Sequence, residues 1–449
     1  MSFLVPTTTT VAILLIGATV IIAFGSDALS HRFHVPDVLW LILFGLLAGP
    51  VFHLVNSGQV LGLGAVLGTV ALVIILYDAG IDFNPREVRT VGTAGLLLAV
   101  LSFGVAAAVL FAVAMAFLAG GNIGLSLIFA LSLAGISGAV TLPIVFRLGF
   151  ADTVRDSLSL DLAVEDTLGV LSVTILVSVL VSGAGWGAIV PQVLLPLPLA
   201  VAFGVLGGFL GIEFLSRWQR KVYAGLAVMG LLFVVYAGTE TLDGSGIMAA
   251  LIMGIVLGND AYFRRWLPRA HRAPTFAFDP AVRQVHNDIA FVLRAIFLVI
   301  LGILIPFQPI GVAAAAAVVA LPIVLLFVRR YVLREVERRG HLPQGLWGRL
   351  SGLYGRGLTN AVLIIIAISL YSPAQALLFP AFIVIIGTDI VMTVLVFLDA
   401  PPDAPGAPPS TTLTPWIPPF HVAPLPAGDG PRSSGTSEGG LHRRDVPLH

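Results

Sequence analysis

The feature that most constrains this chain is a series of apolar stretches, each about 20 residues long, that recurs from Val11 to Phe397. A helix of that length spans the ~30 Å hydrocarbon core of a bilayer. Charged residues make up 11% of the chain, compared with roughly 25% in a typical soluble domain. The pattern predicts an all-α polytopic membrane protein with about thirteen transmembrane helices, at residues 8–25, 36–54, 58–79, 91–118, 123–148, 152–182, 189–213, 222–238, 245–258, 285–306, 309–333, 350–371 and 374–398.

The charge balance and the lack of cysteine exclude several classes of protein. The 24 basic residues equal the 24 acidic ones in number, whereas binding to nucleic acid needs a clustered basic surface. Because the chain has no cysteine, disulfides, thiol catalysis and thiolate metal sites are excluded as well. We therefore expect the lipid bilayer as the protein's surroundings, no nucleic-acid partner and no cofactor.

The basic residues indicate which loops face the cytoplasm, because Arg and Lys are retained on that side of the membrane. They follow the odd-numbered spans, and the loops after the even-numbered spans contain none. This alternation predicts a multi-pass protein of the plasma membrane with its N-terminus outside and its C-terminus in the cytoplasm. The residues that carry the pattern are Arg32, Arg86, Arg89, Arg147, Arg155, Arg217, Arg220, Lys221, Arg264, Arg265, Arg269, Arg272, Arg283, Arg334, Arg338, Arg339 and Arg349.

The last part of the chain differs in composition from everything before it. Residues 399–449 hold 12 of the 29 prolines, with glycine and serine between them. Such a segment cannot bury enough apolar surface to fold. The composition predicts a transmembrane domain at 1–398 followed by a disordered cytoplasmic tail at 399–449.

Three acidic residues, Asp161, Glu165 and Asp166, lie within six positions of the sixth span. An ionisable side chain near the bilayer centre costs roughly 2.5–3.5 kcal/mol, so each one that persists needs a partner or a function. A helix that enters the membrane near Asp152 places Asp166 about 21 Å along its axis, not far past the midplane. The cluster predicts a cation and proton site. The alternative, a cytoplasmic loop mistaken for a span, is disfavoured by the apolar run at 168–181.

Three arginines on later spans are candidate counter-charges for these acids. Arg294 lies about ten residues into the tenth span, at a depth near that of Asp166. Arg329 and Arg330 end an apolar run on the eleventh span, where an arginine can also serve as an interfacial anchor. The sequence leaves open which of the three pairs with an acid.

Two spans carry glycine-rich interruptions: Gly135-Ile136-Ser137-Gly138-Ala139-Val140-Thr141-Leu142-Pro143 in the fifth, and Gly352-Leu353-Tyr354-Gly355-Arg356-Gly357-Leu358-Thr359-Asn360 in the twelfth. Broken helices in paired positions are typical of transporters built from inverted repeats. We expect core repeats at about 91–182 and 309–398, scaffold helices at about 36–79 and 189–306, and neutral cation ligands at Ser137 and Thr141. Ordinary glycine-mediated helix packing is the alternative.

Taken in order, several segments resemble the monovalent cation/proton antiporter superfamily, in particular its archaeal and bacterial sodium/proton antiporter branch. Besides the interrupted fifth span and the acidic sixth span, they are Leu76-Tyr77-Asp78-Ala79-Gly80-Ile81-Asp82, Ser245-Gly246-Ile247-Met248-Ala249-Ala250, Phe297-Leu298-Val299-Ile300-Leu301-Gly302 and Tyr354-Gly355-Arg356-Gly357. The resemblance covers roughly residues 8–398. It implies a fold of two inverted repeats with broken crossing helices, and a role in pH homeostasis.

The resemblance also implies roles for single residues. In that family the sixth span carries a Glu-Ser-x-x-Asn-Asp type motif, which places Asp161 at the Glu, Glu165 at the Asn and Asp166 at the final Asp. The family's basic residue falls on Arg329, or on Arg330 in a register shifted by one, and would pair with Asp161. Because Glu165 stands where electroneutral members have a neutral residue, the charge stoichiometry stays open.

Together these observations predict a secondary antiporter, not an enzyme, that exchanges Na⁺, K⁺ or Li⁺ for H⁺ by alternating access. Asp166 would be the shared ligand, Glu165 a second ligand or proton carrier, and Thr141 a further ligand of Na⁺ or K⁺. We expect a homodimer. The alternatives are a cation channel, another ion-coupled carrier and, from the Gly-x-Ser-Gly sequence around Ser137, an intramembrane serine protease, which would need a base that no histidine in a span interior supplies.

Overall fold

The computed structural model describes residues 8–33, 37–55, 57–83, 85–148, 150–182, 196–217, 224–263, 280–305 and 308–399. Apart from Asp399, the predicted tail at 399–449 lies outside the described residues. Within these ranges the chain is helical except for short connections, and no strand occurs there.

The helices of the described ranges, in chain order, are α1 (Thr8–Phe33), α2 (Asp37–Leu46), α3 (Ser57–Asp82), α4 (Pro85–Val113), α5 (Ile123–Ala134), α6 (Gly138–Arg147), α7 (Asp152–Ser182), α8 (Pro196–Arg217), α9 (Ala224–Glu240), α10 (Gly246–Gly258), α11 (Pro280–Leu304), α12 (Val312–Arg338), α13 (Trp347–Ser351), α14 (Leu358–Leu370) and α15 (Leu378–Asp399). Two π-helical turns, Leu47–Val51 and Ala114–Leu118, continue α2 and α4, and a 3₁₀ turn at Ser372–Leu377 precedes α15. A further helical turn spans Asp260–Phe263.

The predicted spans coincide with these helices, which confirms the all-α polytopic membrane fold. Five helical segments of the described chain are long and apolar enough to cross a membrane, at Gly92–Leu118, Asp152–Val181, Pro196–Arg217, Val312–Arg338 and Ser372–Leu398. Shorter apolar helices lie between them. The fifth and twelfth spans are each divided into two helices, as the glycine-rich sequences predict.

Local side chains explain where several helices begin and end. Asn122 accepts a hydrogen bond from Leu125 N at 3.0 Å and caps the start of α5. Ser245 caps α10 in the same way through Met248 N. The backbone then leaves the helical path at 135–137, after α5, and at 353–357, after α13. Both interruptions are built by glycine-containing sequence rather than by a loop at the end of a span.

The helices pack in two groups. In one, α7 lies against α4, α5, α6 and α14, and α12 packs against α4 and α15. In the other, α10 lies against α3, α8 and α9, while α11 lies against α2 and α3. The contact of α14 with α3 joins the two groups. The breaks and the acidic helix α7 therefore belong to the same group.

Close approach of backbones holds the second group together. A Cβ atom added at Gly302 on α11 would overlap the carbonyl oxygen of Ile42 on α2, and one added at Gly254 on α10 would overlap that of Tyr77 on α3. Small residues at such contacts let helices approach closely within a membrane. Larger side chains at these two positions would force the helices apart.

Candidate functional site

The two breaks cross in direct contact at the centre of the first helix group. Ser137 N donates a hydrogen bond to Gly355 O at 2.9 Å, so the unwound segment after α5 touches the one before α14. Around this crossing lie buried carboxylates of α7 and buried arginines from α12 and from the second break. The sequence-predicted acids are therefore brought to the place where the backbone opens.

Asp166 lies where two helices begin. Its Oδ2 accepts a hydrogen bond from Gly138 N, the first residue of α6, at 3.2 Å. The side chain of Thr359, the second residue of α14, faces the same carboxylate. Helix N-termini carry partial positive charge and unpaired N–H groups, so both stabilise negative charge at this position. Asp166 is the carboxylate that both broken helices share.

Glu165 connects the first break to α12. Its Oε2 accepts a hydrogen bond from Ile136 N in the unwound segment at 2.6 Å, and its Oε1 lies 3.5 Å from Arg329 Nη1. The side chain is fully buried. Although it directly precedes Asp166 on the chain, Glu165 has a different set of partners, as the 100° step between neighbouring helical residues requires.

Asp161 pairs with Arg329. Arg329 Nη2 donates to Asp161 Oδ2 at 2.5 Å and Nη1 donates to Ser102 Oγ of α4 at 2.7 Å, with both charged side chains at 2% exposure or less. Arg329 thus joins α4, α7 and α12 and faces two carboxylates, Asp161 and Glu165.

The other two candidate arginines have different partners. Arg330 Nε donates to Ser351 Oγ at 3.2 Å, and its guanidinium lies over the ring of Trp347. Arg294 Nε donates to the carbonyl of Ala290 on its own helix at 3.2 Å. Within the described part of the chain, these contacts of Arg330 and Arg294 lie away from the acids of α7.

Ser137 and Thr141 lie at the start of α6, on the side of the break that Asp166 contacts. Both side chains are buried, and within the described part of the chain neither hydroxyl has a hydrogen-bond partner. Hydroxyl oxygens and a carboxylate are hard donors of the kind that alkali and other hard cations prefer. The start of α6 thus brings two buried hydroxyl groups and the Asp166 carboxylate into the same part of the helix core.

Two residues that the sequence reasoning did not single out complete the crossing. Arg356 Nε donates to Leu133 O and its Nη2 to Ala134 O at 3.2 Å, while Asn360 Nδ2 donates to Ser132 O at 2.9 Å and Gly135 O at 3.0 Å. The last carbonyls of a helix have no partner within it. Side chains of the second break thus satisfy four consecutive carbonyls, 132–135, at the end of α5.

The signal for these two residues was present in the sequence. Arg356 and Asn360 stand in the glycine-rich segment of the twelfth span, where a charged and an amide side chain are costly unless they have partners. Asp389 on α15 is fully buried beside this segment, close to Gly355. Arg329 and Arg356 also line one small cavity with Ser102 and Tyr354, with room for about one water molecule.

Comparisons with known proteins agree with this architecture. The K(+)/H(+) antiporter NhaP of Alkalimonas amylolytica is 27% identical in an alignment of 334 residues that covers 71% of this chain, and the chain spans about half of that relative, 53% of its length. The structure of the sodium proton antiporter MjNhaP1 from Methanocaldococcus jannaschii at pH 8 superimposes with a TM-score of 0.70 at 17% identity, over 87% of this chain and 99% of that one. A second structure of MjNhaP1 gives a TM-score of 0.66 at 17% identity, over 86% and 94% of the two chains.

At 17% identity the likeness to MjNhaP1 shows the fold. Family membership rests on the sequence itself. The family model described as the transmembrane sodium/hydrogen exchanger matches residues 16–398, which include α7 and both breaks. This chain belongs to the sodium/hydrogen exchanger family.

Proposed function

We propose that this chain is a secondary antiporter that exchanges a monovalent cation for H⁺ across the cell membrane. The observation that carries the proposal is the position of Asp166, a buried carboxylate that accepts a hydrogen bond from the first residue of α6 and lies near Thr359 at the start of α14. Family membership and the names of the relatives support the same activity. In this activity the protein moves ions and neither makes nor breaks a covalent bond in a substrate.

One carboxylate serves both ions in turn. When Asp166 is ionised, its charge and the free oxygens of Ser137 and Thr141 bind a monovalent cation, while the two helix N-termini keep the charge tolerable inside the protein. When Asp166 takes up a proton, its attraction for the cation is lost. Exchange follows because the site is filled by one ion or by the other.

Glu165 acts as a second proton carrier. Ile136 N and Arg329 are two of its partners, and Arg329 has Asp161 as a closer partner. Glu165 can therefore take up a proton while the Asp161–Arg329 pair stays intact. In that role it sets how much charge each exchange moves. The alternative role for Glu165 is that of a second cation ligand in its ionised form.

The wider arrangement follows from the same proposal. The core repeats at about 91–182 and 309–398 rock against the scaffold helices at about 36–79 and 189–306, so that Asp166 faces each side of the membrane in turn. The protein lies in the cell membrane as a homodimer, with its N-terminus outside and its C-terminus in the cytoplasm, as the arginine pattern indicates.

Proton movement in proteoliposomes tests the proposal and identifies the ion. The purified chain is reconstituted with a pH-sensitive dye inside, and Na⁺, K⁺ and Li⁺ are added separately. We expect at least one cation to drive proton efflux, with an apparent affinity that weakens as the pH falls, because protons compete for Asp166. A cation flux without proton counter-flux would identify a channel.

Asp166→Asn is the decisive variant, because an amide cannot alternate between a proton and a cation. We expect it to abolish exchange while the protein still expresses and folds. Asp152→Asn is the matched control, since Asp152 is an exposed acid at the start of the same helix, where it forms an ion pair with Arg155. Cation-driven proton movement that survives in Asp166→Asn would contradict the assignment.

A further inference from the structure

The end of α12 combines an apolar outer face with a group of arginines. Four residues at steps of four along this helix are strongly exposed and apolar or aromatic, and residues at that spacing share one side of a helix. The same side continues into Arg334 and Arg338, which are both exposed. The four residues are Val319, Ile323, Phe327 and Tyr331, at 63%, 46%, 59% and 66% exposure.

The acids at this end of α12 already have partners. Glu335 forms an ion pair with Arg339 at 2.9 Å, and Glu337 accepts hydrogen bonds from Gly345 N at 2.6 Å and Trp347 N at 3.0 Å. In the described ranges, Arg334 and Arg338 form no ion pair. The patch therefore presents positive charge that the carboxylates of the described ranges leave unbalanced.

Trp347 fixes the position of this charge. The guanidinium groups of Arg330 and Arg334 both lie 5.9 Å from the centre of its indole ring, a distance at which cation–π attraction is effective. Arg330 is further held by its bond to Ser351. Tryptophan is typical of the level of the lipid headgroups. An arginine that packs against this tryptophan is therefore preorganised to bind a ligand at the level of the lipid headgroups.

We propose that Arg334 and Arg338 bind the phosphate of an anionic phospholipid, with Trp347 at the headgroup level and an acyl chain along Phe327 and Tyr331. Guanidinium groups form strong, charge-assisted hydrogen bonds to phosphate. The apolar face that leads into the arginines favours a lipid over a soluble phosphate. Because Glu335 and Glu337 are both engaged, neither carboxylate is available to pair with the cationic part of a zwitterionic headgroup, which favours a lipid with net negative charge.

Lipid binding to the purified chain in detergent tests this site. Phosphatidylglycerol and phosphatidylcholine with identical acyl chains are titrated, and the dissociation constant of each is measured by native mass spectrometry alongside the melting temperature. Each arginine near an anionic surface contributes about 1 kcal/mol, so we expect the double variant Arg334→Gln, Arg338→Gln to bind phosphatidylglycerol about 30-fold more weakly. Binding of phosphatidylcholine should hardly change.

Arg339→Gln is the matched control. It removes a positive charge near Arg338, but Glu335 already neutralises that charge in an ion pair. It should keep the preference for phosphatidylglycerol. Equal binding of both lipids by the unaltered chain would show that Arg334 and Arg338 are ordinary interfacial anchors, and it would overturn the proposal. So would an unchanged preference in the double variant. Stabilisation by glycerol phosphate equal to that by phosphatidylglycerol would identify a phosphate site instead of a lipid site.

Discussion

Removing Arg329 should destabilise the protein more than removing its closer partner, Asp161. In Arg329→Ala, two buried carboxylates, Asp161 and Glu165, lose the guanidinium they share. In Asp161→Ala, Arg329 still has Glu165 at 3.5 Å and the Ser102 hydroxyl at 2.7 Å. The difference between the two variants follows from this unequal set of partners.

The size of the effect follows from burial. Breaking a buried ion pair by removing one member costs about 3–5 kcal/mol, because the other charge is stranded. We expect Arg329→Ala near the upper end of that range and Asp161→Ala near the lower end. The double variant removes both members, so its loss should fall short of the sum of the single losses by about 1–3 kcal/mol.

Thermal unfolding in detergent at one pH and one salt concentration measures this coupling through the shift in melting temperature. Arg330→Ala is the control, because Arg330 is the next residue but contacts Ser351 and Trp347. Its loss should add to that of Asp161→Ala without coupling. Strictly additive losses for Asp161→Ala and Arg329→Ala would refute the reasoning.

Three further predictions concern the rest of the helix core. Glu165→Asn should leave exchange measurable but remove its response to membrane potential, and a starting protein already insensitive to potential would show that Glu165 carries no second proton. Asn360→Ala leaves two buried carbonyls without a partner and should lower the melting temperature by an amount equivalent to about 1–3 kcal/mol for each; an unchanged melting temperature would mean that α5 does not depend on this cap. Gly302→Ala should cost about 1–3 kcal/mol by forcing α2 from α11, whereas Gly17→Ala, where an added Cβ meets nothing within 4 Å, should not destabilise.

The sequence was sufficient for most of the fold. Apolar stretches of membrane-spanning length occur in order, and glycine in mid-span marked both broken helices. Those signals are local, because span length and backbone freedom are properties of neighbouring residues. The positions of Asp161, Glu165 and Asp166 on one buried helix could be predicted for the same reason.

The partners of these acids depend on how distant helices are rotated, which no local signal reports. Arg294 and Arg329 are both compatible with the depth of the acids, but only the packing of α12 against α4 directs Arg329 toward Asp161. Likewise, the role of Arg356 requires the two breaks to cross, since its acceptors on α5 lie more than 220 positions earlier in the chain. A polar residue in a span predicts that the residue has a partner, but it does not identify that partner.

The cap at the end of α5 has a genetic consequence. Its four acceptors are main-chain carbonyls, which every amino acid possesses, so no single codon change within residues 132–135 deletes one of them. The donors are side chains encoded by only two codons, those of Arg356 and Asn360. In a library that samples every substitution, intolerance arising from this one junction should therefore concentrate at two positions more than 220 codons downstream of the helix end that they cap.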